Sequence, residues 1–306
     1  MSLQALPAPT LLLPDDPAWP PGLSDLPDAP ERLSLLGQLP AWDRPVVAIV
    51  GTRRTDAFGR DFTRNLASDL ARQGCIVISG GAHGVDTEAH WGALEGQGVT
   101  LAVLPTGLTR PYPEGNRALF ARVSQRGALL SEVLGDAPGY PSLFLERNRL
   151  VAAIAKVVVV TQAPLASGAL STAAHATRLG RPVLAVPYMP GIIRGEGCLE
   201  LLARGAGICR SAGDVLSLAA PRPAQTRPQT ARKKLRRPKK EESFQWLDED
   251  EAALLQGLEQ GPLSADELCE AIRLPAPRIQ RAILMLLLSK VIQEVGGGRY
   301  MRTDPR

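Results

Sequence analysis

Short runs of apolar and β-branched residues alternate with helical patterns from residue 46 to about residue 218. Val46 to Gly51 is the first run, and apolar residues at helical spacing follow it from Gly59 to Gln73. Further strands are predicted at Ile76 to Ser79, Thr100 to Leu104, Ala128 to Val133, Val157 to Thr161 and Pro182 to Val186. Helices are predicted between these strands. One follows the strand at Ile76 to Ser79 and ends at about Glu95, and the others are at Arg117 to Gln125, at Leu143 to Ala155, from Ser171 and at Leu199 to Arg204. A last short strand and a helix that ends near Leu218 complete the pattern. This alternation predicts an α/β fold with a parallel sheet covered by helices on both faces.

Residues 1–43 lack this alternation because nine prolines recur along them. Proline removes a backbone donor and interrupts helices, so the only candidate helix here is Pro30 to Leu36. We therefore expect residues 1–43 to form an arm packed along a sheet domain of residues 44–220.

A second, smaller unit is predicted at residues 244–306. Its pattern predicts helices at Asp248 to Gln260, Ser264 to Ile272 and Pro277 to Lys290, with Ser264 as N-cap and Glu267 completing a capping box. Val291 to Val295 and Arg299 to Arg302 flank a run of glycines and predict a hairpin. Three helices followed by a β-wing are typical of a winged helix.

The charge of the chain is concentrated between these two units. The formal net charge is +4, but Arg222 to Lys240 contains nine basic residues and no acid. Residues 221–243 are therefore predicted to be a basic linker that can hold DNA non-specifically. From Phe244 onward ten acids face seven bases, which favours a protein-contact or accessory role for the winged helix over direct DNA reading.

Composition excludes several classes of protein. No apolar run reaches the ~18 residues of a membrane span, and no basic flank precedes the leucines at residues 11–13, so we expect a cytoplasmic protein without a membrane partner. The four cysteines and three histidines lack metal-ligand spacing, which predicts neither a metal site nor disulfides. There is no GxxxxGK[ST] motif, and the glycines of SGGAHG do not match GxGxxG, so neither a P-loop nor NAD binding is expected. No cofactor is predicted.

Two glycine-containing turns carry the candidate chemistry. Ser79-Gly80-Gly81, with Gly84, joins a strand to a helix, where unpartnered helical amides and a positive dipole end favour an anion. The first strand ends similarly at Gly51, followed by Thr52 and Arg53, and arginine binds phosphate through two parallel hydrogen bonds. The carboxyl ends of parallel strands meet at one edge of a sheet, which predicts a phosphate-binding crevice there.

Other polar turns extend this edge into a groove longer than one nucleotide. They contribute Arg110, Arg147, Asn148, Arg149, Ser167, Gly168 and Thr172, and His83 lies within the glycine turn. Tyr112, Tyr140 and Phe144 are the candidate stacking platforms, and together these residues suit a single strand better than a duplex. Two simpler interpretations stay open: the arginines pair with Glu146 or Glu132, and Ser171 is only a helix cap.

The chain resembles the DNA-processing A family (DprA, also called Smf). The resemblance rests on VVAIVGTR, SGGAHGVDTEAHWGAL, TLAVLPTGLTRPYPEGN, ALLSEV, FLERNR, SGALSTA, RPVLAVP and GCLELLARGAGI, in that order, from about Trp19 to Leu218. It implies an extended Rossmann-like fold and a dimeric, non-enzymatic protein that binds single-stranded DNA and loads the RecA recombinase in natural transformation, or competence, and recombination. A single-strand-binding protein is a further candidate partner.

The resemblance also assigns residues. It places Arg53 and the Ser79-Gly80-Gly81 turn on DNA phosphates, Arg147-Asn148-Arg149 nearby, and the dimer contact on Leu199, Leu202 and Ile208. The chain departs from the family at His83, Glu114 and Pro141, where relatives often carry a basic residue. These departures lower the number of expected phosphate contacts, and Arg110 is a candidate substitute.

Two functions from other classes compete with this interpretation. A phosphoribohydrolase-like enzyme would use Asp86, Glu88 or Glu132 as its acid or nucleophile and would release free base from nucleoside monophosphates. Against it, carboxylates in the first turn of a helix commonly serve the helix dipole. A transcription factor would read duplex DNA through residues 244–306 alone.

Overall fold

The computed structural model of the protein describes residues 8–138, 141–219, 249–288, 291–295 and 298–303. These residues fall into two compact units, one on either side of residue 223. The predicted linker from Arg222 to Lys240 and the side chain of Tyr140 lie outside the described residues.

A single nine-stranded sheet forms the centre of the first unit. In chain order, its strands are β1 Thr10–Leu12, β2 Leu33–Gly37, β3 Val46–Gly51, β4 Ile76–Ser79, β5 Thr100–Val103, β6 Ala128–Ser131, β7 Val157–Gln162, β8 Val183–Ala185 and β9 Gly207–Ile208. Their spatial order is β1-β2-β6-β5-β4-β3-β7-β8-β9. All pairs from β6 to β9 in this order are parallel, whereas β1 and β2 join antiparallel at one edge.

Helices cover both faces of this sheet. They are α1 Ala57–Arg72, α2 Val85–Glu95, α3 Arg117–Arg126, α4 Pro141–Glu146, α5 Asn148–Ile154, α6 Ala169–Arg178, α7 Glu196–Ala203 and α8 Ala212–Ala219. Alternate residues of β3 point to opposite faces of the sheet. Val46 and Ala48 pack in a cluster that includes residues of α5 and α6. Val47 and Ile49 pack with α1 and α2. Burial of each such branched side chain contributes ~1.5–3 kcal/mol, so β3 is fixed from both sides.

The second unit contains three helices and a small antiparallel sheet. The helices are α9 Glu249–Gly257, α10 Ala265–Ile272 and α11 Ala276–Leu288, and the strands are β10 Leu263–Ser264, β11 Ile292–Glu294 and β12 Arg299–Arg302. Ser264 caps α10 and Glu267 returns the bond to the Ser264 amide, as the sequence predicts. The predicted fold class, a Rossmann-like parallel sheet with a winged helix, is confirmed.

Two local predictions are wrong. The candidate helix from Pro30 to Leu36 is instead strand β2, because Leu33 and Leu36 bury against the sheet while the strand pairs with β6. The helix predicted from Leu143 to Ala155 is divided at Arg147 into α4 and α5. In both places a contact distant in sequence decides the local structure.

The strand order places a crevice at the carboxyl ends of β3, β4 and β7. From β3 the chain moves to β4 on one side, and β7 later fills the position on the other side. The loops that follow β3 and β7 therefore separate towards opposite faces, and this reversal is where open α/β sheets bind ligands. No described helix is long and apolar enough to cross a membrane.

A buried histidine connects α2 to the sheet. His90 is fully buried, and its Nδ1 lies 2.7 Å from the Thr100 hydroxyl, which donates to the carbonyl of Val77. Its Nε2 is buried without a hydrogen-bond partner. Burial, together with the nearby charge of Arg147, lowers the pKa of His90 to about 3, so the ring is neutral at neutral pH.

We predict that His90 makes stability depend on pH. Between pH ~6.5 and 3 the unfolded chain binds a proton at this residue and the folded chain does not, so the free energy of unfolding falls as pH decreases, by up to ~1.4 kcal/mol per pH unit. Chemical unfolding followed by tryptophan fluorescence at several pH values measures this slope. A His90→Gln variant should lose that part of the slope, and identical pH profiles for the two proteins would contradict the assignment.

Candidate nucleic-acid interface

The crevice contains a cavity of ≈ 300 Å³ between the loops that follow β3, β4 and β7. Its walls are largely apolar and include Val50, Val151 and Ala169. Its polar lining comes from the candidate residues Gly51, Thr52, Arg53, Gly80, Arg147, Asn148, Ser167, Gly168 and Thr172. The structure therefore brings together the two glycine turns and the start of α6, which the sequence predicts to share one edge of the sheet.

Arg147, the residue between α4 and α5, lies beneath this cavity. Its Nη1 donates to the carbonyls of Gly80 and Val103, and its Nε donates to Asn148 Oδ1 at 3.3 Å. Burial lowers the pKa of Arg147 to about 10, so the guanidinium keeps its charge at neutral pH. These bonds fix the carboxyl ends of β4 and β5, and Arg147 therefore has a structural role at the base of the cavity.

Asp86, in the first turn of α2, is the acidic counterpart of Arg147. The carboxylate is 6% exposed, lines the cavity and accepts a bond from the Ala82 amide at 3.3 Å. Burial raises its pKa, and the charge of Arg147 opposes that rise. The amide of Val85 also has a partner, the carbonyl of Thr52 at 3.1 Å. The expectation that the first amides of this helix point outward unpartnered is therefore wrong for Val85, the first residue of α2.

The glycines of the turn are required by neighbouring protein groups. A Cβ on Gly80 would lie 2.5 Å from the Arg147 guanidinium, and one on Gly84 would lie 2.3 Å from the Thr52 carbonyl oxygen. Gly81 and Gly84 also have positive φ angles of 69° and 79°. Contact with Arg147 at Gly80, with Leu104 at Gly81 and with the other turn at Gly84 thus explains these glycines without a ligand.

Arg53 is an exposed cation at the mouth of the cavity. Its guanidinium carbon lies 4.7 Å from the centroid of the Phe144 ring, and Phe144 meets Tyr112 edge to face with centroids 5.8 Å apart. Among the described residues Arg53 forms no ion pair. His83 is exposed and lines a small adjoining pocket with these three residues. The mouth thus combines an available positive charge with aromatic surface, both of which favour nucleotides.

The start of α6 forms the opposite wall. Gly168 is the N-cap, its carbonyl accepts from Asn148 Nδ2 at 3.1 Å, and Ser167 Oγ accepts from the Ala169 amide at 3.3 Å. Thr172 lines the cavity one turn later. Ser171 lies inside the helix with a buried hydroxyl that has no partner, so its interpretation as the helix cap is wrong.

Other predicted residues lie away from the cavity or are already engaged. Ser79 is fully buried and donates to the Ile49 carbonyl at 2.6 Å, so its side chain does not face the cavity. Arg149 pairs with Glu132 at 2.7 Å and with Asp28 at 3.2 Å, as the simpler interpretation has it. Arg110 is exposed on the loop after β5 and does not line the cavity.

The predicted dimer residues lie at the β9 edge of the sheet, which is opposite the edge formed by β1 and β2. Leu199 and Leu202 are half-buried on α7, where Leu202 packs against the core. Ile208 is 52% exposed on β9, the last strand of the sheet.

Sequence reasoning did not assign Arg54 to the site. Arg54 lines the cavity, and its amide donates to the Thr52 hydroxyl at 3.2 Å. Its position directly after Arg53 in GTRR is the signal that could have indicated it.

The carboxylates of the hydrolase alternative are each engaged in the structure. Glu88 pairs with Arg64 at 3.3 Å and Glu132 with Arg149, whereas Asp86 faces Arg147 inside the protein. None of the three is a free acid facing another across the cavity.

The first unit is an open parallel sheet with a cation-bearing cavity at its switch point, and the second is a winged helix. Together they define a class of Rossmann-like proteins that carry a winged-helix domain. Within that class the chain belongs to the family of DNA recombination-mediator protein A, whose model matches residues 10–220. The model of the DprA winged helix domain matches residues 236–298.

Curated relatives agree with this assignment. Protein Smf from Synechocystis is 38% identical over 68% of this chain and 54% of its own length, and a putative DNA processing protein DprA from Mycobacterium tuberculosis is 44% identical over 55% and 43%. The chain thus spans about half the length of these two relatives. DNA processing protein DprA from Streptococcus pneumoniae is 35% identical over 66% of this chain and 71% of its own.

Solved structures show the same fold. DNA processing protein A from Streptococcus pneumoniae superimposes with a TM-score of 0.66 at 32% identity, over 71% of this chain and 76% of that one. The protein from Helicobacter pylori, whose single-stranded DNA binding mode has been studied structurally, gives 0.62 at 33% identity, over 68% and 94%.

We predict that Gly84→Ala destabilises the protein through a backbone clash as well as through its positive φ. Gly180, which has a φ of 67° and open space for 4 Å around the place where a Cβ would lie, provides the matched control Gly180→Ala. A positive φ costs at least about 1–2 kcal/mol in both variants. At Gly84 a ψ of −128° adds strain that glycine alone avoids, and overpacking adds about 1–3 kcal/mol. Chemical unfolding measures both losses, and equal values would show that the two turns do not pack as described.

Proposed function

We propose that this protein binds single-stranded DNA at the mouth of the switch-point cavity and delivers the strand to a recombinase. The observation that carries the proposal is Arg53, an arginine without an ion pair among the described residues that rests on Phe144 beside an apolar-walled cavity. Membership of a DNA recombination-mediator family and the single-stranded DNA binding mode of the Helicobacter pylori relative support it.

The geometry favours single strands over duplex DNA. A cavity of ≈ 300 Å³ is concave and has the size of a small ligand site, whereas the bases of a duplex are stacked inside the helix and cannot enter such a cavity. Aromatic surface at Phe144 and Tyr112 can stack on an unpaired base irrespective of its identity. Arg53, with Arg54 beside it, supplies charge for the adjacent phosphates.

The proposed role needs no chemistry on the DNA. Of the carboxylates that a hydrolase would use, Glu88 and Glu132 are paired with arginines, and Asp86 accepts from the Ala82 amide near the charge of Arg147. We therefore assign the protein a non-enzymatic role in natural transformation and recombination, in which it protects the strand and loads the RecA recombinase. A single-strand-binding protein is a further proposed partner.

The winged helix is proposed to contact protein instead of reading DNA. Asp250, only 5% exposed, binds Arg278 and lies 3.7 Å from Arg281, and these are the arginines of α11. Arg299 and Arg302 on the wing pair with Glu267 and Glu259. Cations that are already paired offer less to a phosphate backbone.

We predict that Arg53→Ala weakens binding to an oligo-dT by about 10-fold or more, because it removes the cation that lies on the Phe144 ring at the cavity mouth. The loss of one phosphate contact should also reduce the slope of log K against log salt by about 0.7. Fluorescence anisotropy at several salt concentrations measures both quantities.

Arg72→Ala is the matched control, since Arg72 is exposed on α1 and paired with Asp69 at 3.0 Å. It removes the same charge away from the cavity and should leave affinity nearly unchanged. Undiminished binding by the Arg53 variant, or equal losses in both variants, would refute the proposed site.

We also predict that Ile208→Glu prevents homodimer formation. Ile208 is exposed on edge strand β9, so a charge there is tolerated by the folded monomer but not inside an apolar interface. Leu199→Glu on α7 should act in the same way. Sedimentation should report monomers with unchanged circular dichroism, and dimers of both variants would place the interface elsewhere.

A further inference from the structure

The arginines of the first unit differ in whether an acid neutralises them. Arg64, Arg149 and Arg181 each contact a carboxylate. Helix α3, in contrast, carries Arg117, Arg122 and Arg126 and contains no acidic residue. All three are exposed, and within the described part of the chain none of them forms an ion pair.

Helix α3 begins beside the turn that borders the cavity. Asn116, which precedes it, donates from Nδ2 to the Gly81 carbonyl at 3.0 Å and to the Thr87 hydroxyl at 2.8 Å. The His83 ring lies close to Gly115, since a Cβ there would be 3.2 Å from His83 Cε1. The path from the cavity mouth past His83 therefore leads directly onto the first turn of α3.

The arginines face solvent along the length of this helix. Leu119, Phe120 and Val123 bury the opposite side of α3 against the sheet. Arg117 and Arg126 are separated by ~13.5 Å along the axis at 1.5 Å per residue. At 3.6 residues per turn, Arg122 and Arg126 lie about 40° apart around the helix, whereas Arg117 lies about 140° from Arg122. The three arginines therefore form a positive strip that crosses the exposed side of α3 obliquely, from Arg117 on one flank to Arg122 and Arg126 on the other.

This arrangement is unfavourable to the helix itself. Arg117 places a cation at the positive end of the helix dipole, where no acid of the first turn compensates it. Arg122 and Arg126 are four residues apart, a spacing at which like charges destabilise a helix by ~0.2–0.5 kcal/mol. A polyanion lying on this face would remove both penalties.

Resting on the proposed function, we propose that the single strand leaving the cavity runs along α3, with its phosphates on Arg117, Arg122 and Arg126. The strip continues the cavity mouth and is complementary in charge to a sugar-phosphate backbone. Glu114, the exposed acid that precedes α3, stands where relatives often carry a basic residue, and the strip supplies positive charge next to it. The strand therefore has a direction on the protein, away from β3 and over the side of the sheet that carries β5 and β6.

The opposite flank of the cavity is less suited to a phosphate backbone. Arg60 and Arg194 lie there near Asp56, a carboxylate at the start of α1. Burial raises the pKa of Asp56, but bonds from Gly59 and Gln162 and the charges of Arg194 and Arg60 lower it overall. These two arginines are thus compensated by an acid, and their substitution is a matched control for the loss of two positive charges.

The test compares Arg122→Ala/Arg126→Ala with Arg60→Ala/Arg194→Ala on oligo-dT of two lengths, about 4 and about 16 nucleotides. For the α3 variant we expect unchanged affinity for the short oligonucleotide and a loss of about 10-fold for the long one, with a salt slope reduced by about 1.4. The control variant should bind both nearly as the unaltered protein does.

Unchanged binding of the long oligonucleotide by the α3 variant, or a loss as large in the control variant, would overturn the proposed path. The proposed function is tested separately by Arg53→Ala, which should weaken binding at both lengths. A protein that needs Arg53 but not the α3 arginines would keep the function and lose only this path.

Discussion

The cavity depends on the hydrogen bonds that the buried guanidinium of Arg147 makes to the ends of two strands. Its Nη1 bonds to the carbonyls of Gly80 and Val103, so one side chain joins the carboxyl ends of two neighbouring strands. A buried charge is costly unless it is well paired, and here two carbonyls, Asn148 and the nearby Asp86 share that task. Gly80 must lack a side chain because the guanidinium occupies that space. The absence of a side chain at Gly80 follows from the placement of this group, and the break between α4 and α5 lies at the residue that carries it.

Arg147 therefore has a structural role, whereas other arginines at the cavity can bind a ligand. Because Asp86 and the strand carbonyls surround Arg147, the charge available to a ligand at the cavity belongs to Arg53 and Arg54, which lie at its mouth. Arg53 is positioned by the ring of Phe144 and not by an acid, so its guanidinium can still bind a phosphate. The arginines of α11 and β12 are likewise paired with acids, whereas those of α3 form no ion pair among the described residues. Paired arginines hold elements together, and unpaired ones are the candidates for contacts with nucleic acid.

The sequence was sufficient for those features that depend on local patterns. The parallel strands, the helices between them and the capping box of Ser264 and Glu267 follow from hydrophobic spacing and side-chain chemistry, and the structure contains them. The meeting of the two glycine turns also followed, since carboxyl ends of parallel strands share one edge.

Features that depend on contacts distant in sequence could not be predicted. Strand β2 forms because Leu33 and Leu36 bury beside β6, although the local pattern suggested a helix from Pro30 to Leu36. Gly84 fits against the Thr52 carbonyl, which also accepts from the Val85 amide, although the pattern suggested unpartnered helical amides there. Arg147 and Arg149 are neighbours in sequence, yet one lies under the cavity and the other pairs with Asp28 and Glu132, a difference that only the fold determines.

The most direct test is a crystal structure of the protein with a short oligo-dT. We expect the strand at the cavity mouth with a phosphate on Arg53, while Arg147 keeps its bonds to the Gly80 and Val103 carbonyls. A strand bound elsewhere with the mouth empty, or an Arg147 that leaves these carbonyls to bind a phosphate, would contradict the division between a structural and a binding arginine.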